Sequence, residues 1–264
     1  RLVICTEDSV ADEDIPAALR GIAHLLPRIS PESQVSTYIR PRNPDVLHAL
    51  LEMPGIEAIT GFVIPKASVK GFPKFADEIV NHGGSFTMMP ILEDRRMMDR
   101  YYREELRNAF IEYAEHIECL RIGGNDLMGH HGMRRDDSDW TIYDSVVGSL
   151  ISDLVNEFRV GCETPFLITA PVFECYGEQY DELFRREATR SIFNQLFGQT
   201  VIHPRHLSML IELYKVRQTD LDSARSMLGS TKAVGGQNGK MDERATHEKW
   251  AENILVRSEL FGVR

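Results

Sequence analysis

Cysteine is scarce in this chain. Its 264 residues include four, Cys5, Cys119, Cys162 and Cys175, with no CxxC pair and no zinc-ligand spacing. A disulfide scaffold and a structural zinc site are thereby excluded. Three of the four lie in or beside apolar runs, where a small buried thiol is the default, so the reading is a protein of a reducing, cytoplasmic compartment. Long apolar runs are missing too: none reaches the ~18 residues of a membrane span. Positive charge is in the minority, with 30 Lys and Arg against 40 Asp and Glu and a formal net charge of −10. Nucleic-acid backbone and an anionic membrane are therefore poor partners. An anionic small molecule stays open, because local cations or a metal can dominate a site. No glycine-rich phosphate turn follows any apolar run, which weakens the case for a doubly wound nucleotide-binding sheet. There is no signal peptide and no initiator Met. The chain opens with "RLVICTEDSV", already inside a strand, and a missing upstream piece is expected.

What is present is an alternation. Short β-rich apolar runs occur at "LVICT", "VSTYIR", "AITGFVIP", "SFTMMPIL", "HIECLRIG", "PFLITAPV" and "QTVIHP". Helical patterns separate them. Over residues 14–29, Ile15, Ala18, Leu19, Ile22, Leu25, Leu26 and Ile29 form one apolar stripe. "NPDVLHALLEM" offers an Asn cap with Pro at the first helical position. Strands alternating with helices predict a parallel sheet. Runs that are apolar throughout fit strands covered on both faces. The length suits one α/β barrel. The fold expected is a (β/α)8 TIM barrel whose first strand would lie just upstream of residue 1, since seven runs are found and eight are needed. Residues 1–215 would form the barrel and residues 216–264 a C-terminal helical lid.

The strand tails carry the functional signal. "LVICT" runs into Glu7 and Asp8, "VSTYI" into Arg40 with Arg42 and Asn43 following, "GFVIP" into Lys66, "MMPIL" into Glu93 and "LRIGGN" into Asp126. A charge at one strand end marks only the return to water. Five in succession place carboxylates and cations on one rim, and the carboxyl ends of parallel barrel strands are where such enzymes build their sites.

These segments together resemble a known family. "CTEDSV", "YIRPRN", "FVIPKA", "PILED", "LRIGGNDLMGHHG", "FGQTVIHP" and "GKMDERATHEKWA" follow the order and rough spacing of the HpcH/HpaI aldolase and citrate lyase β-subunit-like family. The wording is closest to its divergent branch of carbon–carbon bond lyases of the TIM-barrel fold. The likeness spans essentially the whole chain; each motif is short, but seven in order are specific. It implies Mg²⁺ as the cofactor, held by Glu93 and Asp126, with waters and a chelating 2-oxo acid completing an oxygen octahedron. It implies Arg40 as the catalytic cation at an enolate oxygen, with Arg42 the second choice. Glu7 and Asp8 would hold metal-bound waters or orient Arg40; a plain pair of helix N-terminal carboxylates is an equal alternative. Lys66, Gly124, Asn125 and Arg134 fall with Arg40 at substrate-binding positions. A Schiff base on Lys66 is chemically open, but metal-dependent members do not use one. Where acyl-CoA members have a C-terminal Gly-Lys-Met-Ile-Asp lid, this chain has Gly239-Lys240-Met241-Asp242-Glu243. That puts Glu243 at the acid/base position, reaching a neighbouring subunit's site in a homo-oligomer, a trimer or hexamer.

Two departures matter. The usual Ile-Glu-Thr is Leu92-Glu93-Asp94 here, so Asp94 either joins the metal site or caps a helix. The lid carboxylate is a Glu in place of Asp. Other candidates rank lower. His130 and His131 are adjacent on a loop and rarely converge on one ion. His203 is expected to hydrogen-bond structurally inside the barrel mouth. Arg134 and Arg135 meet either CoA phosphates or solvent. The segments "LDSARSMLG" and "HEKWAENILVRSELFG" are amphipathic, with Trp250, Ile254, Leu255 and Leu260 on one stripe, and "STKAVGGQNGKMDERA" between them reads as a flexible connection. The stripe is expected to pack on a neighbour. The activity implied is cleavage or formation of a C–C bond in a citryl-, malyl- or citramalyl-like 3-hydroxy acyl-CoA. The alternatives are a metal-dependent aldolase of free 2-oxo acids and a non-catalytic barrel acting in binding or assembly.

Overall fold

The computed structural model describes residues 1–30, 32–135, 139–230, 234–237 and 239–264. The chain divides into two units, one of Arg1–Val172 with Asn194–Thr200, the other of Phe173–Phe193 with Val201–Arg264.

The first unit carries six parallel strands among the described residues: β1 (Leu2–Cys5), β2 (Thr37–Arg40), β3 (Gly61–Ile64), β4 (Thr87–Leu92), β5 (Leu120–Ile122) and β6 (Ile168–Thr169), adjacent in chain order. Each matches an apolar run of the sequence. The seventh run forms no named strand; it contributes a single parallel bridge, Ala170 to Gln199. Between the strands lie α1 (Ile15–Leu25), α2 (Pro44–Leu51), α3 (Phe72–Asn81), α4 (Arg100–Ile111), α5 (Gly124–His130) and α6 (Val146–Val155). The Asn43 side chain caps α2 by accepting from the Val46 N–H at 2.9 Å, and Pro44 opens the helix. The stripe of residues 15–26 forms α1 and a short 3₁₀ turn, with Ile22 and Leu26 buried.

Both faces of the strands are covered, which is why the runs lack polar alternation. On one face Phe62, Ile64, Met88, Leu92, Leu120, Ile122 and Ile168 pack with helix residues such as Leu47, Phe72, Phe110 and Leu154. The opposite face holds a smaller cluster of Tyr38, Val63, Met89, Ile91 and Cys119, with Val3 against it. Beneath it the Tyr38 hydroxyl meets Thr87 Oγ1 at 3.0 Å and donates to Glu118. Side chains alternate along a strand. Residues two further on therefore share this inner face: Cys5 after Val3, Arg40 after Tyr38, Glu93 after Ile91, Arg121 after Cys119.

The second unit contains α7 (Asp181–Phe193), α8 (Pro204–Tyr214), α9 (Gln218–Gly229), β7 (Val234–Gln237), β8 (Lys240–Glu243) and α10 (Arg244–Phe261). Three sequence expectations change here. The supposed flexible connection is in its described part an antiparallel hairpin, Val234 facing Glu243 and Gly235 facing Asp242, with Gly239 at φ 73°. Residues 231–233 and Asn238 lie outside the described residues. The stripe of α10 is already covered within its own unit: Ala251 and Ile254, with Trp250 and Leu255, pack on Leu221, Ala224 and Met227 of α9. His203 ends no strand. It caps α8, its Nδ1 accepting from the Arg205 N–H at 3.3 Å, and stacks on Tyr176. No helix among the described residues is long and apolar enough to cross a membrane.

Candidate active site

The inner face becomes polar at the carboxyl ends of β1 to β5. At the end of β2, Arg40 points its Nε and Nη2 at the Cys5 sulfur, at 3.3 and 3.0 Å, and its Nη2 lies 3.5 Å from Glu7 Oε2. The register makes this possible, because Cys5 and Arg40 are direct partners across β1 and β2. Burial lowers the affinity of the guanidinium for its proton. The Cys5 and Glu7 contacts outweigh that and hold it more firmly charged than usual. Cys5 also accepts from the Ser9 hydroxyl at 3.1 Å and the Glu7 N–H at 3.3 Å. Burial pushes its thiol up, but the donors around it win and its pKa falls.

Glu7 is buried and shared between two cations. Its Oε1 accepts from Lys66 Nζ at 2.5 Å, while Asp8 takes the same ammonium at 2.9 and 3.0 Å. Burial works against the Lys66 charge, and the two carboxylates override it, raising its pKa well above the usual lysine range. Glu7 and Asp8 are not in the first turn of α1, which begins at Ile15. The plain helix-terminus alternative is thereby overturned, and they act instead as the counter-charges of Arg40 and Lys66.

Glu93 follows β4 and is 6% exposed. One oxygen, Oε1, accepts from the Lys66 backbone N–H at 2.6 Å. Lys66 adopts a left-handed φ of 49°, unusual for a residue with a side chain and costing on the order of 1 kcal/mol. On the other side is Gly123, just after β5: a Cβ there would overlap Cβ and Oε2 of Glu93. The Glu93 carbonyl is bonded to His130 Nε2 at 3.0 Å, so His130 steadies the strand end and does not face a metal position. Asp126 sits in the first turn of α5, where the helix dipole favours a carboxylate. Burial, then the Asp126 charge, pushes the Glu93 carboxyl up to about 7. The Asp126 charge thus opposes the ionisation of Glu93. An oxygen-only ligand pair of this kind could hold a hard divalent ion such as Mg²⁺, with water or substrate supplying the rest. Among the described residues no group of three or more His, Cys, Asp or Glu forms a metal cage.

Arg42 is not a mouth cation: it donates to the Glu7 carbonyl at 3.1 Å and to the Val10 carbonyl, and pairs with Asp12, tying down the loop after β1. Asp94 caps the turn after β4, accepting from the Arg96 N–H at 2.8 Å and pairing with the Arg96 side chain. Asn125 is held by buried Arg135, whose Nη1 donates to Asn125 Oδ1 at 2.9 Å, whereas Arg134 is exposed. Gly124 packs tightly, since a Cβ there would lie 2.6 Å from Pro171 Cβ. Glu243 belongs to the second unit, at the end of β8. Cys5 and Arg121 carry no signal in the sequence alone. The signal that finds them is the period of two from Val3 and Cys119, which needs the strand faces to be known.

The family model for the C-C bond lyase of the TIM-barrel fold matches residues 1–263. The chain belongs to this family. The TIM-barrel fold expected from the sequence is thus borne out, and with it the assignment to carbon–carbon bond lyases. Solved structures agree on the fold. CitE from Mycobacterium tuberculosis, in complex with magnesium, acetoacetate and coenzyme A, is 19% identical, with 97% of this chain and 89% of that chain covered and a TM-score of 0.71. A citrate lyase from Burkholderia xenovorans is 13% identical, with 99% and 84% covered and a TM-score of 0.72. Haloferax volcanii malate synthase, as a magnesium and glyoxylate complex, is 18% identical, with 79% and 64% covered and a TM-score of 0.59. No curated protein sequence matches the chain.

Proposed function

We propose that this protein is a Mg²⁺-dependent lyase that cleaves, or in reverse forms, the C–C bond of a 3-hydroxy acyl thioester, a citryl-, malyl- or citramalyl-like compound, with release of a 2-oxo acid. The observation that carries this reading is the buried Glu93 carboxylate, which burial and the neighbouring Asp126 charge push up to about 7. Glu93 and Asp126 would hold the ion, which when bound supplies Lewis acidity at the oxo-acid carbonyl. The similar CitE and malate synthase structures are described with magnesium, and CitE also with coenzyme A, which supports both the metal and the thioester.

The protein's own groups fit the electron flow. In cleavage the 3-hydroxyl gives its proton to the Glu243 carboxylate, the C–C pair moves onto the acyl fragment, and negative charge develops on the enolate oxygen. Arg40 is the fixed cation for that oxygen. Cys5 and Glu7 set its orientation, and Lys66 neutralises Glu7 and Asp8 so that neither competes for the metal position. Glu243 is the candidate acid that returns a proton to the enolate carbon, supplied from a second copy. Asn125, Gly124 and exposed Arg134 are the candidate contacts for the substrate, Arg134 for an anionic CoA handle.

Glu93→Gln tests the reading. It keeps the volume and the acceptor for the Lys66 N–H, so folding should persist. Calorimetry should show Mg²⁺ affinity reduced by at least ~10-fold and turnover lost. Unchanged Mg²⁺ binding would remove Glu93 from the site.

A further inference from the structure

Arg121 is a half-buried cation without a counter-ion among the described residues. It lies on β5, paired in register with Ile91 of β4 and Thr169 of β6. Its neighbours in sequence, Leu120 and Ile122, face the helices, so Arg121 occupies the inner face one layer below Glu93. Its Nη2 donates to Thr200 Oγ1 at 2.5 Å, a neutral partner. Its Nη1 is buried and has no partner. Among the described residues no carboxylate pairs with it. Burial, then the nearby Arg40 charge, makes the guanidinium hold its proton less firmly than usual. Thr169 Oγ1, at the same register on the next strand, is a second buried polar atom without a partner.

A cation taken out of water is costly unless paired, and a second cation alongside makes matters worse. Glu93 and Cys5 attract Arg121 at a distance, but neither is bonded to it: Glu93 is bound to the Lys66 N–H and Cys5 to Arg40. An aliphatic side chain would fill this layer at no electrostatic cost. An anion arriving from outside would complete the arrangement, and Arg121 is half-buried and not sealed off. Its Cα is one two-residue step below Glu93 along the strands, roughly 6–7 Å.

We propose that Arg121 binds a second carboxylate of the substrate, with Thr169 as its neighbour donor, and so selects a dicarboxylic 2-oxo acid over a monocarboxylic one. This rests on the proposed function, in which the first carboxylate and the oxo group meet the Mg²⁺ position at Glu93 and Asp126.

The test is calorimetric titration of the full chain, in Mg²⁺, with oxaloacetate and with pyruvate. Wild type should bind oxaloacetate ~10- to 10²-fold more tightly, as expected for a charge-assisted pair. Arg121→Met should erase that preference while leaving pyruvate binding unchanged, and Arg121→Lys should restore part of it. Thr169→Val, which changes little volume, should lower oxaloacetate affinity several-fold and leave pyruvate alone; it carries the test if Arg121→Met does not fold. A wild type that binds both acids equally overturns the inference and leaves the proposed function standing. So does a variant that keeps the preference, or one that weakens both acids alike. Binding of neither acid to wild type in Mg²⁺ overturns the proposed function and this inference with it.

Discussion

Glu93 is the carboxyl group on which the proposed chemistry turns, and its protonation gives a measurable handle. Burial and Asp126 raise its pKa from the ordinary 4.5 to about 7. The sign follows directly. Between those two values the folded chain holds a proton that the unfolded chain has released, so this group's contribution to stability declines as pH rises through that window. A cation competes with that proton. Mg²⁺ affinity should therefore fall by up to ~10-fold per unit as pH drops below about 7 and level off above it. The rise in Tm produced by saturating Mg²⁺ should be larger at pH 8 than at pH 6. Titrations in buffers of different ionisation heat should detect close to one proton released per ion at pH 6. An affinity that is flat from pH 6 to 8 would assign the ion to other ligands. At this scale the sequence was only partly readable. Glu93, Asp126, Arg40 and Lys66 stand out because a charge ending an apolar run is visible without coordinates. Cys5 and Arg121 do not, because a thiol or a guanidinium inside a run gains its meaning from the partner strand: Cys5 from Arg40 across β1 and β2, Arg121 from the lack of a carboxylate partner among the described residues.

At the scale of elements, the site depends on how β4 and β5 end side by side. Leu92 pairs with Ile122, and the Gly123 N–H donates to the Leu92 carbonyl at 3.1 Å. The next side chain on β4 is Glu93, and it lies over Gly123, whose missing Cβ is the space it occupies. Gly123→Ala should therefore push Glu93 away from the Lys66 N–H. The expected cost is about 1–3 kcal/mol of stability, typical of overpacking, together with a loss of Mg²⁺ affinity comparable to that of Glu93→Gln. Denaturant unfolding and calorimetry on the same preparation would check both; a variant with normal Mg²⁺ binding would show that the strand ends can part without moving the carboxylate. Elements themselves were well marked in the sequence. Six apolar runs became strands, and the Asn43-Pro44 start of α2 was legible because capping is a local property. The seventh run reached only the bridge at Gln199, since composition cannot say how many ladder bonds form. The hairpin of β7 and β8 was hidden for a related reason: glycine and polar residues read as a loose connection, whereas antiparallel pairing uses backbone groups that every residue carries.

For the whole molecule the open mechanistic element is the acid, and the assignment of Glu243 makes a demand on assembly. The apolar stripe of α10 does not itself require a second copy, because α9 covers Ala251 and Ile254. What the second unit leaves uncovered is different: Met241 on β8 is 61% exposed and Leu260 near the end of α10 is 71% exposed. Met241 precedes Glu243 by two residues and so shares its side of the strand. A surface that buries Met241 would also bring Glu243 to that partner. If the partner is another copy and the pocket it meets is the one at Glu93, each active site draws residues from two chains. Glu93→Gln and Glu243→Gln should then both be inactive alone, and Glu243→Gln should keep full Mg²⁺ affinity. Mixing the two chains under conditions that exchange subunits should restore activity, because some sites receive an intact Glu93 from one chain and an intact Glu243 from the other. For a random mixture of closed rings at equal amounts, about a quarter of the sites would be whole. Native mass spectrometry would verify that mixed oligomers form. Mixed oligomers without activity would place Glu243 in its own chain's site or outside catalysis, and a chain that remains monomeric at working concentration would require the acid to come from the same copy.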